Sequence, residues 1–161
     1  MYARVVEIAE RLQARGEWLA VAESCTGGLI AKSLTDLAGS SAWFERGVVS
    51  YSNRAKQELL GVAPAVLEHH GAVSEATVLA MAGGVLAHAP VQWSVAVTGI
   101  AGPGGGNADK PVGTVWIAAA QRDGTATAHG FRFDGDRESV RAQAARMALD
   151  ILLDRLRRAA A

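Results

Sequence analysis

The sequence predicts an α/β protein: a three-layer α/β/α domain around a mixed, mainly parallel sheet, with one β-hairpin late in the chain. Three observations carry that expectation. Helically spaced apolar residues alternate with short strand-like runs along the first two thirds of the chain, the pattern of parallel strands joined by crossover helices. Two apolar runs, Gly113–Gln121 and Thr125–Phe133, flank Asp123-Gly124, a strong hairpin signal that supplies the antiparallel part. A chain of 161 residues, 50% of them hydrophobic, fits one domain with one substantial core, and no linker or internal repeat divides it.

Taken in order, Val5, Ile8, Ala9 and Leu12 sit at helical spacing between Ala3 and Ala14, and Gly16 stops that helix. Trp18–Ala22 reads as a buried strand, Cys25-Thr26-Gly27-Gly28 as a turn, and Leu29–Leu37 as a helix broken by Gly39-Ser40-Ser41. A helical turn over Ala42–Arg46, pivoting on Gly47, is expected before a strand at Val48–Tyr51. Helices follow at Asn53–Leu60, at Pro64 to about His70, and at Glu75–His88 behind a Ser74 cap. Val91–Val97 is a strand and Thr98–Pro111 a long glycine-rich loop. Asp136 caps a last helix that reaches about Arg158, where Arg155, Arg157 and Arg158 suit the helix dipole.

Charge and composition exclude several function classes. Sixteen basic residues balance sixteen acidic ones, which argues against a nucleic-acid partner. One cysteine, Cys25, allows no internal disulfide and suits a reducing compartment. No apolar run approaches the ~18 residues of a membrane span, and the first residues lack the charged and apolar regions of a secretion signal. A cytoplasmic protein with no membrane partner is expected. Apolar helix faces leave room for a homo-oligomer.

Three stretches can carry chemistry. Ala22-Glu23-Ser24-Cys25-Thr26-Gly27-Gly28 joins a strand through a tight turn to a helix, and free N–H groups at a helix start attract anions. An ordinary strand–helix turn has the same composition, and a free cysteine is more often buried and inert than reactive. Thr98 to Gly106 follows a strand, at the end where open α/β sheets bind ligands. It is not a P-loop, because Lys110 is followed by Pro111. Gly39-Ser40-Ser41, Tyr51 and Lys56 contain the parts of a Ser/Lys hydrolase: a hydroxyl, a base whose pKa burial can lower, and a phenol that can orient it. A capping serine and a surface lysine would look alike. The ten residues from Ser41 to Tyr51 span about 33 Å if extended, so Ser41 must fold back to meet Lys56. Arg137 and Arg141, one helical turn apart, can clamp a phosphate or simply line a solvated face. The histidines at 69, 70, 88 and 129 show no metal spacing.

Several long segments together resemble the CinA C-terminal domain family. They are Ala22-Glu-Ser-Cys-Thr-Gly-Gly28, Gly39-Ser-Ser41, Gly47-Val-Val-Ser-Tyr-Ser-Asn53 with Lys56, Val97-Thr-Gly-Ile-Ala-Gly-Pro-Gly-Gly105 and Lys110-Pro-Val-Gly-Thr114, in order across nearly the whole chain. That family includes enzymes that hydrolyse nicotinamide mononucleotide to nicotinate mononucleotide and ammonia, and it also forms the second half of longer CinA proteins. The resemblance implies a stand-alone amidase with a small nucleotide substrate and no cofactor or metal. It maps Ser41 as nucleophile, Lys56 as base and Tyr51 beside them. It places Thr98 on the substrate side with Arg137 or Arg141, between which the register does not choose. Thr26, Gly27, Gly28, Gly99, Gly102, Gly104 and Gly105 would then hold phosphate and ribose. Should Ser41 not be the nucleophile, Ser24, Cys25 and Thr26 are next in line. A catalytically silent nucleotide-binding module and a metal-dependent pyrophosphatase-like enzyme are the rival classes, and the latter lacks an obvious carboxylate cluster.

Overall fold

The strand Leu19–Glu23 (β1) is buried along its whole length, and its alternate residues enter two different cores. Leu19 and Val21 join one cluster with Val95, Val97 and Ile117, while Ala20 and Ala22 join another with Ala96 and Ala118. A run that is apolar on both faces belongs between two helical layers. Bulky side chains fill the first face. Alanines floor the second, so helices there approach the sheet closely.

In the computed structural model, which describes residues 1–122 and 124–159, two crossovers build the parallel part of the sheet. β1 leads through α2 (Leu29–Thr35) to β2 (Phe44–Val49), which lies parallel with Val49 opposite Glu23. From there α3 (Asn53–Leu60), α4 (Pro64–His70) and α5 (Glu75–His88) lead to β3 (Trp93–Gly99), parallel to β1 on its other side. β4 (Thr114–Gln121) and β5 (Ala126–Arg132) add antiparallel, giving the order β2-β1-β3-β4-β5. α1 (Tyr2–Arg15), α2 and α6 (Arg137–Arg158) cover one face, and α3 to α5 the other. The expected three-layer mixed sheet is present. Only β4 runs against the rest, although the pairings divide evenly between parallel and antiparallel.

The crossovers from β1 to β2 and from β2 to β3 pass over opposite faces of the sheet. That arrangement opens a crevice at the C-terminal ends of β1 and β3, the switch point where such sheets bind ligands.

Two local expectations change. Residues 44–47 are strand, and helical structure before them is confined to a 3₁₀ turn at Ser40–Ala42. The buried Trp43 anchors that segment, and Leu19 N–H donates to its carbonyl at 2.9 Å. Gly47 is therefore no pivot. A Cβ there would lie 2.8 Å from Ala31 Cβ, so glycine is what lets β2 pass beneath α2. Tyr51 lies beyond β2, on the turn into α3. The predicted caps are found, with Ser74 accepting from Thr77 N–H and Asp136 from Ser139 N–H. Of the predicted hairpin turn, Asp123 lies outside the described residues.

α5 meets α3 through Gly84, where a Cβ would stand 2.0 Å from the Leu60 carbonyl oxygen. Gly84→Ala is expected to cost about 1–3 kcal/mol, as overpacking does. Urea unfolding should show a lower midpoint at unchanged slope.

Candidate active site

After Glu23 the chain must turn sharply to begin α2. Gly27 and Gly28 make the turn, with φ of 59° and 95°, and Gly27 N–H donates to Ser24 O at 3.0 Å. The Glu23 carboxylate, 1% exposed, then reaches across the turn. It accepts from the N–H groups of Gly28 (3.0 Å), Ile30 (3.1 Å) and Ala31 (2.8 Å). These are donors that the first turn of a helix leaves without intrahelical partners. From α6, Arg141 donates to the carbonyls of Cys25 (3.1 Å) and Thr26 (3.0 Å).

Ser24 is thereby held, almost fully buried, at the C-terminal end of β1. Lys56 meets it from α3, whose start is capped by Ser52 accepting from Ala55 N–H at 3.0 Å. Lys56 Nζ lies 3.1 Å from Ser24 Oγ, 3.0 Å from Ser50 O and 3.3 Å from Tyr51 O. The residue is 1% exposed, and burial pushes its pKa below the ordinary lysine value. A neutral amine has two N–H donors and one lone pair. With two backbone carbonyls taking those donors, a neutral Lys56 would direct its lone pair at the Ser24 hydroxyl, whereas the ammonium donates to it.

Both residues line a cavity of about 240 Å³ whose wall includes Thr98, Gly99, Gly102, Gly104, Gly105 and Arg137. Thr98 donates to Ala72 O at 2.8 Å. Gly99 has no room for a side chain, since a Cβ would meet Val115 Cγ2 at 2.7 Å and Cys25 Sγ at 3.1 Å. At the mouth the Arg137 guanidinium donates to Gly102 O (2.7 Å) and to the exposed Tyr51 Oη (2.9 Å). Beyond Arg137 lies a second hollow of about 480 Å³, bordered by Leu29, Arg137, Glu138, Arg141 and Ala142.

Most of the predicted site residues converge, but two assignments do not survive the geometry. Ser41 sits in the exposed 3₁₀ turn before β2, whereas Lys56 binds the carbonyls just after β2. The strand from Phe44 to Val49 stands between them, five steps or about 17 Å, so Lys56 cannot take the Ser41 proton. Thr26, Gly27 and Gly28 do not line the cavity. The α2 amides expected to bind a phosphate are taken by Glu23, and the Thr26 hydroxyl is buried without a partner. Between Arg137 and Arg141, which the sequence leaves open, the positions differ: Arg137 lines the cavity, Arg141 holds the turn that carries Ser24, and both border the second hollow. Cys25 borders the cavity, yet burial first, and the Glu23 charge after it, push its thiol up to about 11, which disfavours the thiolate. Tyr51 acts on Lys56 through its carbonyl, and its hydroxyl binds Arg137.

The sequence alone places Ser24 behind Ser41 as a nucleophile and gives Glu23 no role. A signal for both was present: a polar pair that directly ends a five-residue buried strand and precedes a Gly-Gly turn. Among the described residues no group of three His, Cys, Asp or Glu side chains is placed to hold a metal ion. No described helix is long and apolar enough to cross a membrane.

Residues 2–156 match the family profile of the CinA C-terminal domain. The chain is 58% identical over 148 residues to the nicotinamide-nucleotide amidohydrolase PncC of Enterobacter agglomerans, covering 92% of this chain and 90% of that protein. It is 51% identical over 146 residues to the protein of the same name from Escherichia coli K12, covering 91% and 88%. The crystal structure of competence damage-inducible protein A (ComA) from Klebsiella pneumoniae superposes with a TM-score of 0.93 at 43% identity, over 98% of this chain and 97% of that one.

Proposed function

The chain belongs to the CinA C-terminal domain family, and we propose that it is a nicotinamide-nucleotide amidohydrolase, deamidating nicotinamide mononucleotide to nicotinate mononucleotide and ammonia. Relatives of that name match along nine tenths of the chain. The observation that carries the chemistry is the buried contact between Ser24 Oγ and Lys56 Nζ at the edge of a cavity. In this reading Lys56, neutral, takes the Ser24 proton, and Ser24 Oγ attacks the carboxamide carbon. The N–H of Cys25, a residue that lines the cavity beside Ser24, is the backbone donor offered to the developing oxyanion. One such donor is worth about 3–4 kcal/mol. The Lys56 ammonium gives that proton to the amide nitrogen as the tetrahedral intermediate collapses and the C–N bond breaks, releasing ammonia and leaving the acyl-enzyme. Water then hydrolyses the acyl-enzyme with Lys56 again as base.

The nicotinamide ring occupies the cavity against Thr98 and Gly99. The ribose and phosphate pass Arg137 toward the second hollow, where Arg137 and Arg141 supply positive charge. Arg137→Ala is expected to raise KM for nicotinamide mononucleotide about tenfold to a hundredfold, because a charge-assisted hydrogen bond contributes about 1.5–3 kcal/mol. A smaller effect on kcat separates this from loss of the chemistry.

The deciding experiment measures ammonia and nicotinate mononucleotide produced from nicotinamide mononucleotide by the purified protein, with and without a chelator. Turnover unaffected by the chelator supports a serine amidase. Chelator-sensitive turnover points to a metal-dependent reaction. Mononucleotide binding without turnover indicates a silent binding module.

A further inference from the structure

Glu23 is a buried titratable group that the hydrolytic steps above do not use. Burying a carboxylate is costly unless it is paired or fully hydrogen-bonded. Among the described residues no Lys, Arg or His side chain pairs with it. Its charge is met instead by the three amides of α2. A serine or aspartate directly before the helix would cap it at far less desolvation. The unusual feature is reach. The Glu23 backbone is fixed in the middle of the sheet, opposite Val49 on one side and Val97 on the other. Its side chain is fixed on α2, so residues 24–27 form a loop closed at both ends by the same residue. Arg141 fastens that loop from outside through the Cys25 and Thr26 carbonyls.

The main chain of Glu23 has a second task. Its carbonyl accepts from Ser50 N–H at 2.8 Å, and Ser50 O in turn accepts from Lys56 Nζ at 3.0 Å. One residue therefore anchors both partners of the pair, Ser24 through its side chain and Lys56 through its carbonyl.

We propose that Glu23 is a positioning residue of the hydrolase, whose carboxylate clasps the start of α2 and so holds the Ser24 hydroxyl on the Lys56 amine. This rests on the reading of Ser24 as nucleophile. Glu23 does not touch substrate, so its loss lowers kcat and leaves KM nearly unchanged. Cys25, the only cysteine and the residue after Ser24, reports on the clasp. It is buried while the turn is held and reacts faster when the turn loosens.

The test compares Glu23→Gln, Glu23→Asp and Ser24→Ala in the full chain. For Glu23→Gln, kcat is expected to fall about 30- to 100-fold, the scale of a misplacement near 1 Å. KM for nicotinamide mononucleotide should stay within about threefold, and Cys25 should react with a disulfide reagent about tenfold faster well below the melting temperature. Glu23→Asp, which keeps the charge but shortens the reach, should lose less kcat than Glu23→Gln. If Glu23→Gln does not fold, the same two readouts on Glu23→Asp decide. A kcat within threefold of the parent with the thiol still shielded overturns the role. So does a loss of activity in which thiol reactivity merely follows global unfolding. Full turnover in Ser24→Ala overturns the nucleophile reading itself, whereas an inactive Ser24→Ala beside a fully active Glu23→Gln removes only the clasp.

Discussion

Ser24→Ala is expected to abolish ammonia release from nicotinamide mononucleotide, by about 10⁴-fold or more, the scale seen when a hydrolase loses its nucleophile. Ser41→Ala is expected to leave kcat within about twofold, as a change remote from the chemistry does. The contrast follows from position. Ser24 sits at the C-terminal end of β1, 3.1 Å from a buried amine. Ser41 lies before β2, at the opposite end of the strand, in an exposed turn. Initial rates of both variants, with circular dichroism to establish folding, check the prediction. Equal loss in both, or loss in Ser41→Ala alone, would falsify the assignment. Mononucleotide binding should survive in Ser24→Ala, because the hydroxyl is not asked to hold the phosphate.

Replacing Lys56 has the second largest expected effect. Lys56→Met removes the base, and Lys56→Arg installs a guanidinium that cannot give up its proton. Each is expected to lower kcat about 10²- to 10⁴-fold, the range of general-base contributions. The pH profile gives an independent check. The active form is the neutral amine, and burial shifts its pKa below the ordinary lysine value. The rate therefore rises with pH and levels off below about 10.4, the reference pKa. A lysine acting as an ammonium would give the reverse, a rate falling through the same value. Stability carries the same sign. Between the lowered folded pKa and about 10.4 the unfolded chain binds more protons, so stability rises with pH across that window. Lys56→Met should flatten this rise in denaturant titrations collected between neutral and alkaline pH.

Much of the fold is legible in the sequence because its signals are local. Period-3.6 and strand-like patterns, the stop at Gly16 and the caps at Ser74 and Asp136 each depend on residues within a turn or two of one another. The same holds for the continuous burial of β1, which an unbroken apolar run announces. The start of β2 was less legible. Phe44 and Glu45 suit a helix as readily as a strand, and only pairing with Leu19 and the anchoring of Trp43 in the core make them extended. Gly47 has the same character: the close approach of Ala31 that requires it comes from a helix packed across the sheet.

The candidate site divides along the same line. The chemical inventory is legible in the sequence: serines, a lysine whose pKa burial can lower, a glycine-rich loop after a buried strand and two arginines one helical turn apart. The sequence also points to the end of that strand: Thr98 and Gly99, expected to open the loop, are the last residues of β3, Gly102, Gly104 and Gly105 follow it, and all five line the cavity. Which serine meets Lys56, which arginine faces the cavity and what occupies the amides of α2 follow from the packing of distant segments. The physical reason is that proximity between distant segments is set by strand order and register. Ser24 and Lys56 are 32 residues apart, and they meet because β1 and β2 run parallel, which brings the ends of both strands to one edge of the sheet. Ser41 is nearer to Lys56 along the chain but is carried to the other edge by the strand between them.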